Sequence, residues 1–299
     1  MSVRMVLEPP PPASQAQVTT VRAGEVRSGV MDWLAEEVPV AFEVNGLSHA
    51  IMLASPTDLE DYALGFALTE GLIDRADDLL DIEVEPAEIG ITLQLRVTLR
   101  CFMRMKERRR VLAGRTGCGL CGKDSLKEAV QAPKPLMASA GLDDGANLCL
   151  SKAALQKAQT ELLARQRLQH QTGAVHAAAW CDGDGAVQLV REDVGRHNAL
   201  DKVIGARASG LADDEALMAG FMLITSRASF EMVHKAVTAR VPVLAAMSAP
   251  TALAVRMADQ AGLTLLGFVR SGDMVVYTHA HRIDMGCKHH GAGKDSTWT

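Results

Sequence analysis

Two cysteines, Cys118 and Cys121, stand three apart in the stretch GRTGCGLCGKDSL, Gly114 to Leu126. A thiolate is both a nucleophile and a metal ligand. The pair therefore reads as half of a zinc site, a redox dithiol, or a thiol that carries a group. A structural zinc site needs four ligands, usually with a second pair at similar spacing. No second C-x-x-C is present, and the other candidate ligands, Cys287, His289 and His290, lie about 170 residues downstream in a polar tail. A thioredoxin-type dithiol follows a strand and opens a helix. This pair instead follows a basic segment and sits among Gly117, Gly119 and Gly122. The backbone freedom of those glycines suits a thiol that must visit two partners. Arg115 and Lys123 flank the pair, and nearby cations favour the thiolate. The run Arg104–Arg110 just upstream reads mainly as a solvated helix face. Cys101, Cys149 and Cys181 read as core or incidental residues.

A second polar cluster, REDVGRHNALDK (Arg191 to Lys202), stands where an apolar strand ends and a helix begins. Ligands of open α/β sheets bind beyond the carboxyl ends of strands, and helix N-termini attract anions. Asp193, Gly195, Arg196, His197 and Asn198 are so placed. The same residues equally fit a network that does no more than cap the helix. TSRASFEMVHK, SAPTALA and GFVRSGD repeat the pattern at three further strand ends. Four such ends suggest one site for a phosphorylated, nucleotide-like ligand. No phosphate loop of the G-x-x-x-x-G-K-[ST] type and no convincing G-x-G-x-x-G accompanies them.

The elements that must position these groups follow from periodicity. VPVAFEV (Val38–Val44) and LSHAIML (Leu47–Leu53) flank Asn45-Gly46, a pair suited to a type I′ hairpin turn. A helix capped by Thr57 or Asp58 carries Leu59, Tyr62, Ala63 and Phe66 on one face and ends at Gly71. ITLQLRVTL, 91–99, alternates as a half-buried strand. Ser151 caps a helix running to about Gln169. Beyond it, strands and helices alternate from Ala174 to His279, which implies parallel pairing in a layered α/β sheet. The expected division is a disordered Pro-rich leader over 1–30, a smaller α+β domain with the dithiol loop over 31–135, an α/β domain over 150–283, and a flexible tail over 284–299.

The chain has 299 residues, 48% of them apolar and only 4% aromatic, so its core is built from Ala, Val, Leu and Met. The formal net charge of -5 argues against a general nucleic-acid binder. No apolar run is long enough to span a membrane. The N-terminus has no apolar core of a signal peptide, and with six cysteines this points to a reducing compartment, the cytoplasm.

The segments TGCGLCGK, GAVHAAAW, REDVGRHNALDKVIG, TSRASFEMVHKA, PVLAAMSAPTALAV and LTLLGFVR occur in that order. Together they resemble the formate dehydrogenase accessory sulfurtransferase family, FdhD, from roughly Val38 to His281. The resemblance implies a sulfur carrier that accepts persulfide sulfur from a cysteine desulfurase. It would pass that sulfur to the molybdenum of a bis-molybdopterin guanine dinucleotide cofactor, before the cofactor enters formate dehydrogenase. It implies Cys118 as the persulfide carrier and Cys121 as its partner, with no permanent metal and a homodimer as the assembly. It places cofactor binding on Phe268, Val269, Arg270, Ser271, Gly272 and Asp273, although Ser271 and Asp273 stand where the family pattern has glycine and a basic residue. Arg196, His197 and Arg227 join that site, with Arg196, Arg227 and Arg270 facing the phosphates. The implied fold is a cytidine deaminase-like three-layer domain with a mixed sheet, plus a smaller α+β domain carrying the C-x-x-C loop. Deaminase chemistry needs H-x-E and P-C-x-x-C. Here the corresponding stretches read His176-Ala177-Ala178 and Ser248-Ala249-Pro250-Thr251, so the zinc ligands and the acid are absent. The alternatives are a cofactor-binding chaperone that transfers no sulfur and a zinc-binding regulator built on the dithiol and the Cys287 tail.

Overall fold

The computed structural model describes residues 8–112, 136, 148–210 and 220–285. It opens with a correction. The expected disordered leader holds an antiparallel ribbon of β1 (Ala13–Arg22) and β2 (Glu25–Ala35), which also runs through the expected domain start at residue 31. Its sequence is mostly polar and lacks a clear apolar period, so pairing across the tight turn at Ala23-Gly24 rather than pattern makes it a ribbon. The ribbon is tethered where Ala13 and Ala35 meet Leu168, Val175 and Val194.

A small unit follows. β3 (Val38–Val44) and β4 (Leu47–Ala54) form the expected hairpin, with positive φ at Asn45 and Gly46. Helix α1 (Leu59–Thr69) comes next. Then come β5 (Leu79–Ala87) and β6 (Gly90–Val97), giving a four-stranded mixed sheet in the order β4-β3-β6-β5. One face of the sheet buries Val40, Phe42, Leu93 and Leu95 against Tyr62, Ala63 and Phe66 of α1. β6 ends at Val97, short of the expected Leu99, which instead starts helix α2 (Leu99–Leu112). The base of α2 is clamped, because Arg100 and Arg104 bind Asp74 at 2.9 and 2.6 Å and Arg100 also binds Asp78 at 2.9 Å.

The larger unit begins with β7 (Leu150–Ser151) and α3 (Lys152–Arg165), capped as expected by Ser151 Oγ accepting from Ala154 N–H at 3.0 Å. The helix breaks at Gln166, and α4 (Arg167–Thr172) is separate. Next come β8 (His176–Asp182), β9 (Val187–Asp193), α5 (Arg196–Gly210), β10 (Gly220–Ile224), α6 (Phe230–Thr238), β11 (Val243–Ala246), α7 (Ala252–Ala261), β12 (Thr264–Arg270) and β13 (Asp273–Thr278). β14 (Ile283–Asp284) pairs with β7. The six-stranded sheet runs β13-β12-β11-β10-β8-β9, with β10, β11 and β12 parallel and the remaining pairs antiparallel. One face packs Trp180, Met222 and Leu244 on residues of α5, α6 and α7. The other packs Ala179, Phe221 and Leu223 on Leu155 and Leu162 of α3. The unit thus has three layers. No helix among the described residues is long and apolar enough to cross a membrane.

The two units are interlocked rather than strung on a linker. α1 and α5 cross with backbone contact, and a β-carbon on Gly65 would overlap the Asp201 carbonyl while one on Gly205 would overlap that of Asp61. Beside this crossing, Lys202 Nζ lies 2.7 Å from Asp193, with both side chains fully buried.

Candidate functional site

The register of the sheet brings the four strand ends named from sequence to one edge. β10, β11 and β12 are parallel and end there, β9 ends there because it is antiparallel to β8, and His176 begins β8 opposite Asp193. Backbone bonds knit the loops together beyond the strands. Thr225 N–H donates to Ala177 O at 3.0 Å, Met247 N–H to Ile224 O at 2.9 Å and Phe268 N–H to Ser248 O at 3.2 Å. The N-termini of α5, α6 and α7 all open at this edge.

The motif REDVGRHNALDK divides into two parts. Asp193 takes four hydrogen bonds, from Gly195 N–H (2.8 Å), Asn198 Nδ2 (2.9 Å), Ser55 N–H (3.0 Å) and Lys202 Nζ. Asn198 also donates to Leu53 O at 2.8 Å and accepts from the Tyr62 hydroxyl at 2.8 Å. Asp201 accepts from Thr69 Oγ1 at 2.7 Å and lies 2.9 Å from Lys235. These residues weld the units together, and Asn198 caps no helix. Burial works against the charge of Lys235, but the carboxylates of Asp201 and Glu70 outweigh it and hold the ammonium's pKa up.

Arg196 and His197 remain at the edge. Arg196 makes no hydrogen bond or ion pair among the described residues, and its Nε–H is buried without an acceptor. A buried donor left so costs about 1–3 kcal/mol, which an anionic ligand would recover. Arg227 is exposed and likewise unpaired among the described residues. His197 Nε2 lies 2.8 Å from Glu231 on α6. Burial pushes its pKa down to about 4; Glu231 opposes, while Arg196, Lys235 and Arg227 add to the fall. His176 is also lowered, by burial and then by Arg196. Two neutral imidazoles and two unpaired guanidiniums therefore face a sheet edge with three helix N-termini. His176 was noted in the sequence only as a failed H-x-E. Its signal was its place at the start of a strand whose partner ends in Asp193.

The stretch Phe268–Asp273 forms a strained turn. Phe268 and Ser271 have φ of 53° and 49°, and Gly272 has 84°. Non-glycine residues held so store about 1–3 kcal/mol each and cluster at ligand sites. The Phe268 ring is 44% exposed, whereas Val269 is 1% exposed and packs in the core, so its side chain is unavailable to a ligand. Arg270 donates from Nε to Met247 O at 2.9 Å, and Ser271 N–H donates to Gln159 Oε1 at 2.7 Å. Gly267 must be glycine, since a β-carbon would press on Pro250 and Tyr277.

Cys118, Cys121, Arg115, Lys123 and the tail residues Cys287, His289 and His290 lie outside the described residues. Cys101 and Cys181 are buried, and burial pushes the Cys181 thiol well above its usual range; Cys149 is exposed. The one grouping of metal-ligand type among the described residues is Asp74, Asp78 and Cys101. Its carboxylates are already engaged by Arg100 and Arg104, as the downward shift of the Asp74 carboxyl reflects.

The profile of the FdhD/NarQ family matches residues 35–284. A protein named sulfur carrier protein FdhD from Cupriavidus necator is 53% identical over 274 residues, 92% of this chain and 91% of that protein. Proteins of the same name from Variovorax paradoxus and Xanthomonas axonopodis are 54% and 50% identical, covering 85% and 92% of this chain and 87% and 94% of their own. The crystal structure of a candidate formate dehydrogenase accessory protein from Desulfotalea psychrophila superposes with a TM-score of 0.70 at 23% identity, over 91% of this chain and 100% of that one. The chain belongs to the FdhD/NarQ family.

Proposed function

We propose that this protein is a cytoplasmic sulfur carrier for formate dehydrogenase, with Cys118 as the carrying thiol. Support comes from relatives of about half-identical sequence over nine-tenths of the chain that bear the name sulfur carrier protein. The Cys118 thiolate attacks the terminal sulfur of a cysteine desulfurase persulfide. A new S–S bond forms on Cys118, the donor's S–S bond breaks, and the desulfurase cysteine leaves as thiolate. Arg115 and Lys123 favour the anionic sulfur. The acceptor is molybdenum in a bis-molybdopterin guanine dinucleotide cofactor, which is cargo here. The Cys121 thiolate then attacks the inner sulfur of the Cys118 persulfide, so that a Cys118–Cys121 disulfide forms, the persulfide S–S bond breaks and the sulfur leaves as sulfide for the acceptor.

The observation that carries the acceptor half is the sheet edge. Phe268 offers an exposed ring for a base, with Arg270 beside it. Arg196 and Arg227 offer unpaired charge for phosphates, with His176 and His197 as neutral hydrogen-bond partners. β12 lies two strands from β10 and four from β9. At about 4.8 Å per strand the two ends of the site are roughly 10–20 Å apart, a span that suits a dinucleotide better than a mononucleotide. In this reading the larger unit is a deaminase-like fold that keeps a nucleotide pocket without zinc chemistry. A homodimer remains part of the proposal, motivated by the ribbon's exposed Val21, Val26, Met31, Trp33 and Leu34.

The test is Cys118→Ala in a strain lacking the native protein. Formate dehydrogenase activity should be abolished, and full activity would remove Cys118 from the role. In parallel, the Cys118 peptide should gain the mass of one sulfur atom after incubation with desulfurase and cysteine. An unchanged peptide would leave only a cofactor-binding chaperone.

A further inference from the structure

We infer that Gln159 is a positioning residue for the turn Phe268–Asp273, an inference that rests on the guanine-nucleotide reading above. The turn has two halves, held by different parts of the molecule. The sheet holds the first, through Phe268 N–H on Ser248 O at 3.2 Å and Arg270 Nε on Met247 O at 2.9 Å. The second lies past the point where the β12–β13 register breaks, between Gly267 and Arg270. There the backbone is left-handed at Ser271, with φ of 49°. A serine resists that conformation and holds it only where its surroundings impose it.

The two-residue turn closed by the Arg270–Asp273 pair imposes positive φ on both Ser271 and Gly272, and one face of α3 holds that turn in place. Lys152, Gln156 and Gln159 are spaced four and three apart, so they line a single helical stripe. Gln159 Oε1 accepts the Ser271 N–H at 2.7 Å, and Gln159 is 8% exposed, so water competes poorly for that bond. Around Gly272, a β-carbon would sit 3.0 Å from Lys152 Cε and 3.2 Å from Gln156 Oε1. Lys152 Nζ lies 3.6 Å from Asp273. The stripe thus cradles residues 271–273, and its one short hydrogen bond to the turn's backbone falls on the strained residue. Gln159 meets the turn at the backbone of Ser271, three residues past Phe268. It fixes the chain that carries Phe268 and Arg270, and so pre-organises their separation for a guanine nucleoside diphosphate.

The test is calorimetric titration of the full chain with guanosine diphosphate. Gln159→Met keeps the volume, removes the acceptor and strands the Ser271 N–H, and should weaken binding about tenfold. Adding Ser271→Gly in that background should recover the part of the loss that comes from backbone strain, because glycine adopts the left-handed conformation without strain while the residue 271 N–H still lacks its acceptor. A loss caused by packing alone has no reason to be rescued 112 residues away in sequence. Unchanged affinity in Gln159→Met overturns the inference, and so does a loss that Ser271→Gly leaves in place. Should Gln159→Met fail to fold, amide exchange in the unaltered protein decides, since a Ser271 N–H that exchanges as fast as an open loop overturns the inference. A wild-type chain that binds no guanosine diphosphate overturns the nucleotide reading and this inference with it. One that binds leaves the variants to judge Gln159 alone.

Discussion

Arg196, Arg227 and Lys235 all bear on the His197 imidazole, and Glu231 alone opposes them. Burial of the ring is the largest cause, the cations add to it, and the pKa falls to about 4 from an ordinary 6.5. The folded state therefore binds this proton less readily than the unfolded chain does. The stability contributed by neutral His197 is full above pH 6.5 and is lost as the pH falls through about 4. At about 1.4 kcal/mol per unit the loss is on the order of 3 kcal/mol. An NMR titration should place the His197 ring near 4, and inorganic phosphate should move it upward by pairing with the flanking guanidiniums. A ring that titrates at 6.5 would mean that it is neither buried nor faced by these cations. Little of this was legible in REDVGRHNALDK. The sequence shows that its residues are polar and stand at a strand end. Only packing decides that Asp193, Asn198, Asp201 and Lys202 turn toward the small unit, while Arg196 and His197 stay at the edge.

Elements with a strong local signal were read correctly, and those defined by their neighbours were not. The β3–β4 hairpin announces itself through alternation and Asn45-Gly46, and α1 through its apolar face. β5, LLDIEVEPA, carries Asp81, Glu83, Glu85 and Pro86, and the sequence reading assigns it no element. It is an edge strand, where Pro86 is tolerated. The ribbon β1–β2 failed for the same reason, since it lacks a pattern that pays for a strand on its own. The α1–α5 crossing was equally hidden, because a glycine inside a helix looks like a flaw. Gly65 and Gly205 instead let the two backbones touch. Gly65→Ala should force the helices apart despite alanine's better helix propensity, lowering stability by about 1–3 kcal/mol. Chemical denaturation measures it, and a stabilised Gly65→Ala protein would show that the helices are free to separate.

The division at residues 135–150 reads in sequence as a boundary between two domains, because QAPKPLMASAGLDDG reads as a connector with Pro, Gly and Asp turn residues. Across it, however, the units share buried charge. Ser55 and Asp193 are 138 positions apart, and Lys202 and Ser55 are 147 apart. Local periodicity carries no record of such pairs. Lys202 donates to the Ser55 carbonyl at 2.9 Å and neutralises Asp193, so it serves both units at once. Lys202→Met should therefore leave the Asp193 carboxylate buried and unpaired, at a cost of about 3–5 kcal/mol. Because the residue belongs to both units, the loss should appear as one unfolding transition shifted as a whole, with calorimetric and van't Hoff enthalpies still in agreement. Two separated transitions in the unaltered protein would show that each unit stands alone. In that case the sheet edge and α2, after whose C-terminal end the dithiol segment follows in sequence, would not be held in a fixed relation. A single shifted transition fixes the place from which the Cys118 segment must reach the edge.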